Sequence, residues 1–378
     1  MTQRFAPSGY GILPDRMIAA LAEEGAITAA YPFAPDQIQP ASLDLRLGAI
    51  AYRVRASFLP GPGITVAQRI AELKLHEFAL ADGAVLETGC VYIVPLLEKL
   101  ALPQDIAAAA NPKSSTGRLD VFTRVIADET RGFDRVASGY HGPLYAEISP
   151  KTFPVLVREG TRLSQMRLRH GAAALGEAAL RALHARERLV DRAEAVMGDG
   201  IAVSIDLSGA AAQAQRAWQA DGARIVGYRA KRHTAVIDVE CRNAYDIDDF
   251  WEPIGARADK NLILDPDEFY ILASTEAVQV PPDYAAEMVP FDPLVGEFRV
   301  HYAGFFDPGF GYVGAGGLGA RAVLEVRSRE VPFILEHGQV VGRLVFEKML
   351  ARPDQLYGAG IGSNYQAQGL KLSKHFRA

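Results

Sequence analysis

The sequence predicts a mainly β protein made of two tandem copies of one compact domain. Each copy is a barrel or jelly-roll-like sandwich, and a few helices and a helical connector complete the chain. Three observations carry this expectation. Short apolar runs such as "CVYIVPL", "RVIAD", "PLYAEIS" and "FPVLV" are separated by Pro, Gly and Asp turns at strand-like spacing. The stretch "AVLETGCVYIVPLLEKLALPQDIAA" (84–108) aligns with "LILDPDEFYILASTEAVQVPPDYAA" (262–286) at a constant offset of 178 residues. The same offset pairs "LYAEIS" (144–149) with "AVLEVR" (322–327), matching Glu147 to Glu325, and "FPVLVREGT" (153–161) with "VPFILEHGQ" (331–339).

The elements follow in order. "PDRMIAALAEEGAI" (14–27) reads as an opening helix with Met17, Ile18, Leu21 and Ile27 as its apolar positions. "ASLDLRLG" (41–48) resembles "AVIDVECR" (235–242), with Asp44 opposite Asp238 at a slightly different offset. "GEAALRALHARERLVDRAEAVMG" (176–198) is rich in good helix formers, lacks proline and carries mixed charge, so it reads as a solvated connector or packing helix. The expected division is a first domain over 1–170, a connector over 171–200 and a second domain over 201–378.

Composition narrows the function. With 49% hydrophobic and 22% charged residues and a net charge of −5, the chain is an ordinary soluble type without the basic footprint of a nucleic-acid binder. No run approaches a membrane span and "MTQRFAPSGYGILPD" has no apolar signal core, so a cytoplasmic protein is expected. Its two cysteines, Cys90 and Cys241, form no C-x-x-C, which excludes the zinc pattern of nucleobase deaminases.

The stretch "KSSTGR" (113–118) has two readings, a polar turn or a cradle of hydroxyls, backbone N–H groups and cations around a small phosphate chain. "GAGGLG" (314–319) superficially matches a dinucleotide fingerprint, but it interrupts a β region and reads as a hairpin tip. His141 and His301 have no metal-ligand spacing.

With these segments in order, the chain resembles the dCTP deaminases, relatives of the trimeric dUTPases. The resemblance runs from "IQPASLDLRLG" (38–48) through "KSSTGRLDVFTRVIAD" (113–128) and "GPLYAEIS" (142–149) to "FFDPGFG" (305–311), "AVLEV" (322–326) and the tail "LYGAGIGSNYQAQGLKLSKHF" (356–376). It implies two dUTPase-like domains, dCTP as substrate with Mg²⁺ on its triphosphate, no zinc, and a homo-oligomer, a homotrimer whose sites form between neighbouring subunits. Lys113 replaces the arginine that leads the family's phosphate motif. The first copy has "FDRVASG" in place of D-P-G, whereas the second keeps Asp307, Pro308 and Gly309 but has "DPLVG" (292–296) in place of "SSTGR".

On this resemblance Glu147 is the proton-shuttling carboxyl of a hydrolytic deamination, with Ser114 and Arg118 holding the water, polarising the pyrimidine or bracing phosphates. Burial among Leu144, Tyr145, Ala146 and Ile148 suits such a group. Lys113, Ser115, Thr116 and Gly117 are assigned to the triphosphate, and Asp134 or Asp307 to the deoxyribose hydroxyl. Tyr145, Ala146 and Glu325 complete the nucleotide contacts, and Tyr357, Asn364 and Gln368 form a closing tail. The expected reaction gives dUTP and ammonia. A dUTP diphosphatase or a bifunctional enzyme is the nearest alternative, and a nucleotide-sensing regulator without turnover is the alternative of another class.

Overall fold

The computed structural model describes residues 8–192, 194–213, 224–290, 298–301, 304–315, 319–328, 330–358, 366 and 368–377. The chain divides into two compact units, one of residues up to Ala173 with Ala235–Cys241 and Lys348–Gln355, the other of the remainder. Strands dominate both.

In the first unit one sheet runs Arg135–Val136, Ile106–Pro112, Ser164–His170, Ser42–Leu45, Ile38–Gln39. A second runs Val121–Ala127, His141–Pro150, Val91–Ala101, Ile50–Val54, Lys74–Ala79. A small sheet pairs Ala84–Leu86 with Val155–Val157, and Ile237–Asp238 joins it in parallel. The strand pairs of the two larger sheets are antiparallel, and alternate residues of each strand face opposite sides.

The second unit repeats the order. Phe305–Phe306, Tyr284–Pro290, Val340–Lys348 and Ile201–Ser204 form one sheet. Phe298–His301, Ala320–Ser328, Phe269–Val278, Ile225–Ala230 and Trp251–Gly255 form the other. Register repeats as well: Glu147 faces Ile93 and Glu325 faces Ile271, while Val155 faces Leu86 and Phe333 faces Leu264. Even the tyrosine props correspond, since Glu87 N donates to Tyr92 Oη at 3.1 Å and Asp265 N to Tyr270 Oη at 3.0 Å.

Ile201, Val203 and Leu344 of one sheet and Tyr270, Leu272, Leu324 and Val326 of the other share one buried cluster. Alternation therefore turns Glu325, between Leu324 and Val326, to the face away from that core. In the first unit the face carrying Tyr145, Ile93 and Ile126 is roofed by Val66 and Ile70 of the helix Val66–Leu73. Thr65 and Gln68 start that helix with a reciprocal capping box, which satisfies two N–H groups that would otherwise lack partners.

Three expectations change. The opening helix covers Asp15–Glu23, and Ile27 instead begins the strand Ile27–Ala29. The helix expected over 176–198 covers Glu177–Glu187 and stops at Arg188 in the left-handed region. Beyond it Leu189 and Val190 are buried and Gln279 N donates to Leu189 O at 2.9 Å, so the second unit's core claims this stretch as extended chain.

The counterpart of "ASLDLRLG" is not 235–242. Arg46 N donates to Glu98 Oε2 at 2.8 Å, and Ser204 N donates to Glu276 Oε2 at 2.8 Å. That match places 200–207 opposite 42–49. Asp238 belongs instead to the first unit, where Arg158 Nη1 and Nη2 donate to its two carboxylate oxygens at 2.8 and 2.9 Å.

Candidate functional site

"KSSTGR" folds as one helical turn, Ser114–Gly117, between the strands Ile106–Pro112 and Val121–Ala127. Thr116 N and Gly117 N donate to Lys113 O at 2.8 and 3.0 Å. Ser115, Thr116, Gly117 and Arg118 are buried within the chain's own fold, whereas Lys113 and Ser114 are half-buried. A solvated loop would show the reverse. Lys113 Nζ is ion-paired with Asp44 Oδ2, and Arg162 Nη1 lies 3.6 Å from the same oxygen. Arg162 Nη2 also donates to Asp36 Oδ1 at 3.0 Å, which holds the Asp36 carboxyl below its ordinary value.

Glu147 sits in the strand His141–Pro150, 1% exposed, opposite Arg124 in register. Its Oε1 accepts from Arg124 Nε at 3.1 Å and Nη2 at 2.5 Å, and among the described residues its buried Oε2 has no partner. The Arg124 guanidinium is fixed by Phe122 and Phe133, whose ring centroids lie 4.6 and 3.4 Å from it. Tyr145 shares the face of Glu147, and burial pushes its phenol pKa up. Ala146 turns to the opposite face.

Asp134 is beside this group. It has a φ of 60°, its Oδ1 accepts from Val125 N at 2.7 Å, and its N donates to Val125 O at 2.9 Å. It does not occupy the register position of Asp307. Arg135 and Val136 pair with Ala109 and Ala108 as Phe305 and Phe306 pair with Glu287 and Ala286, so Ala137 stands where Asp307 stands. Thus Asp134, Tyr145, Arg124 and Glu147 are gathered at one place. The turn 113–118 lies beyond the end of the same strand pair, where Val121 faces Pro150, three residues along from Glu147.

In the second unit Asp307 opens a turn whose Gly309 has a φ of 98°, and a Cβ there would meet Tyr357 N and O at 2.9 Å. Tyr357 N donates to Pro308 O at 2.8 Å, and its ring lies 5.7 Å from Phe310. Gln366 bridges Gly311 N and Gly309 O at 3.1 Å each, and Gln368 Nε2 donates to Arg321 O at 3.0 Å. Tyr357 and Gln366 are therefore laid against the D-P-G turn. Asn364 and the stretch 292–296 lie outside the described residues, as does part of 314–319. Glu325 faces Ile271 and His301 in register.

Comparison with known proteins decides the family. The N-terminal domain of 2'-deoxycytidine 5'-triphosphate deaminase (DCD) matches residues 9–172, and its C-terminal domain matches residues 176–376. The chain belongs to the dCTP deaminase family. The crystal structure of 2'-deoxycytidine 5'-triphosphate deaminase from Agrobacterium tumefaciens is 61% identical, covers 90% of this chain and 99% of that one, and superposes with a TM-score of 0.84. A dUMP-forming dCTP deaminase from Clavibacter michiganensis is 31% identical over 157 residues, 41% of this chain and 74% of that protein. A dCTP deaminase from Haloarcula marismortui is 30% identical over 159 residues, 41% of this chain and 78% of that protein.

Within this deaminase fold, sequence reasoning missed Arg124, Arg162 and the pairing of Asp44 with Lys113. The signal for Arg124 was present: a lone cation in the apolar run "VFTRVIA", one hairpin away from a lone carboxylate in "LYAEIS". No helix among the described residues is long and apolar enough to cross a membrane.

Proposed function

We propose that this chain hydrolytically deaminates dCTP, with the magnesium complex of the nucleotide as substrate. Water adds to C4 of the cytosine and the C4–N4 bond breaks, so dCTP and water give dUTP and ammonia. A carboxyl takes the water's proton and returns it to the departing nitrogen. The observation that supports Glu147 in this role is its asymmetry: Arg124 anchors Oε1, while Oε2 is buried and without a partner among the described residues. A proton shuttle needs one oxygen fixed and the other presented. Lys113, Ser114, Ser115, Thr116, Gly117 and Arg118 are assigned to the phosphates and the attacking water, Asp134 or Asp307 to the sugar, and Tyr357 and Gln368 with Asn364 to the closing tail. Zinc independence rests on a sequence with two distant cysteines and no C-x-x-C. A homotrimer and descent from a tandem duplication are part of the same proposal, the latter supported by the repeated strand order and register.

A second reading, in which dUTP is cleaved onward to dUMP, is favoured by the dUMP-forming relatives from Clavibacter michiganensis and Thermobifida fusca. One assay separates the readings. Incubation with dCTP and Mg²⁺, followed by nucleotide separation, gives dUTP for the deaminase and dUMP for the bifunctional enzyme. Unchanged dCTP would leave only a nucleotide-sensing protein. Activity that is lost on exhaustive chelation and restored by Mg²⁺ alone is the result expected without zinc. Sedimentation should show three 40.9 kDa chains together.

A further inference from the structure

Asp44 is a charged side chain with nowhere to go. It is 1% exposed, its Oδ1 is buried without a partner among the described residues, and only Oδ2 is engaged, by Lys113 and more distantly by Arg162 at 3.6 Å. A buried carboxylate depends on such cations, because desolvation penalises an unpaired charge heavily. Yet Lys113 is also the leading cation of the stretch assigned above to the phosphates, and its side chain is 24% exposed. One ammonium is thus claimed by an internal anion and by an incoming one.

We infer that Asp44 is an internal competitor for Lys113, which sets how tightly the phosphate chain is held. This rests on the reading of 113–118 as the phosphate site. Two effects of Asp44 oppose each other. Holding Lys113 in place removes rotamer freedom before binding, which helps the phosphates modestly. Its negative charge repels them, and parting it from Lys113 strips a buried carboxylate of its nearest cation. Coulomb interactions across a few ångströms of protein exceed the gain from fixing one side chain. Competition therefore wins over positioning. Arg162, shared with Asp36 at 3.0 Å, is the cation left to Asp44 when Lys113 turns to phosphate.

The near-isosteric Asp44→Asn tests this by calorimetry with deoxyuridine, dUMP, dUDP and α,β-imido-dUTP, whose bridging nitrogen resists hydrolysis. The expected result is tighter binding that grows with phosphate number, at least ~10-fold for the triphosphate and none for the nucleoside. A loss confined to the triphosphate would show that anchoring wins, and equal changes for all four would show a structural residue. Either overturns the proposal. Lys113→Met tests the underlying site separately. If it binds the triphosphate as the wild type does, the phosphate reading fails. If it weakens the triphosphate while Asp44→Asn does not strengthen it, that reading stands and the competitor is refuted. Should Asp44→Asn not fold, the double variant with Lys113→Met replaces the whole ion pair with neutral groups. The double variant must then bind α,β-imido-dUTP more tightly than Lys113→Met alone, and equal or weaker binding overturns the proposal.

Discussion

The two units share a strand order and a register but not a chemistry. Where Glu98 is buried against Arg46 and Gln37, Glu276 meets the backbone and hydroxyl of Ser204. Where Glu147 faces Arg124, Glu325 faces His301. Where the second unit keeps Asp307, the first has Ala137. Backbone hydrogen bonds and alternating burial constrain the scaffold in both units alike, whereas the polar positions on it have diverged. A glutamate on a preserved strand position is not thereby a preserved function.

The contrast is tested most sharply by the two strand glutamates. Glu147→Gln keeps the shape and removes the proton acceptor, so deamination measured with dCTP should fall by at least ~10²-fold. Full activity in Glu147→Gln together with its loss in Glu325→Gln would move proton transfer to the second unit. Next comes the buried ion pair of Glu98 with Arg46 at 2.8 Å, where Glu276 has only the half-exposed Arg192 at 3.6 Å. Arg46→Ala strands the fully buried Glu98 carboxylate and should cost about 3–5 kcal/mol in denaturant unfolding. Ser204→Ala, which leaves the Ser204 N–H bond to Glu276 in place, should cost only about 0.5–1.5 kcal/mol.

The corresponding glycines should differ too. A Cβ on Gly309 meets Tyr357 backbone, and one on Gly139 meets the movable Gln104 amide at 2.7 Å. Both have positive φ, but only Gly309→Ala also pushes on backbone, so it should cost roughly 1–3 kcal/mol and exceed Gly139→Ala. The smallest effect concerns alkaline pH. Leu102 N donates to Tyr140 O at 2.9 Å as Val280 N donates to Phe310 O at 2.8 Å, so the second unit has a phenyl ring where the first has a phenol. Burial raises the Tyr140 pKa to about 12 from the ordinary 10.0. The neutral phenol therefore contributes stability that is whole below pH 10 and lost as pH rises toward 12. Tyr140→Phe should flatten that decline in melts across the same range, and an unchanged slope would remove Tyr140 as its source.

Much of the fold was legible because alternation and turns write themselves into short apolar runs, and because one offset aligned Tyr92 with Tyr270 and Glu98 with Glu276. The first strand of the second unit was misassigned because "AVIDVECR" looks more like "ASLDLRLG" than its counterpart "DGIAVSID" (199–206) does. The bonds to Glu98 and Glu276 distinguish them. Of the candidate site, Glu147 and the turn 113–118 stood out by residue type. Arg124 and Asp44 did not, since a cation and an anion in apolar runs acquire meaning only when pairing brings a partner across from them. The tail was legible as a motif, but not the burial of Leu370, Leu372 and Phe376, whose last ring packs 5.9 Å from Trp251.

The first unit is assembled from three separated stretches of sequence. Ile237 N donates to Pro154 O at 3.0 Å, and Arg16 Nη1 donates to Arg352 O at 2.6 Å across 336 residues. A ribosome adding 5–20 residues per second takes roughly 20–70 s to cover that distance. The N-terminal unit is therefore the first begun and among the last finished, and nearly all of its sister is translated before its own closing pieces arrive. A gene cut after codon 173 would not release two self-sufficient units, because the first would lack its parallel edge strand and the segment bonded to Ile12.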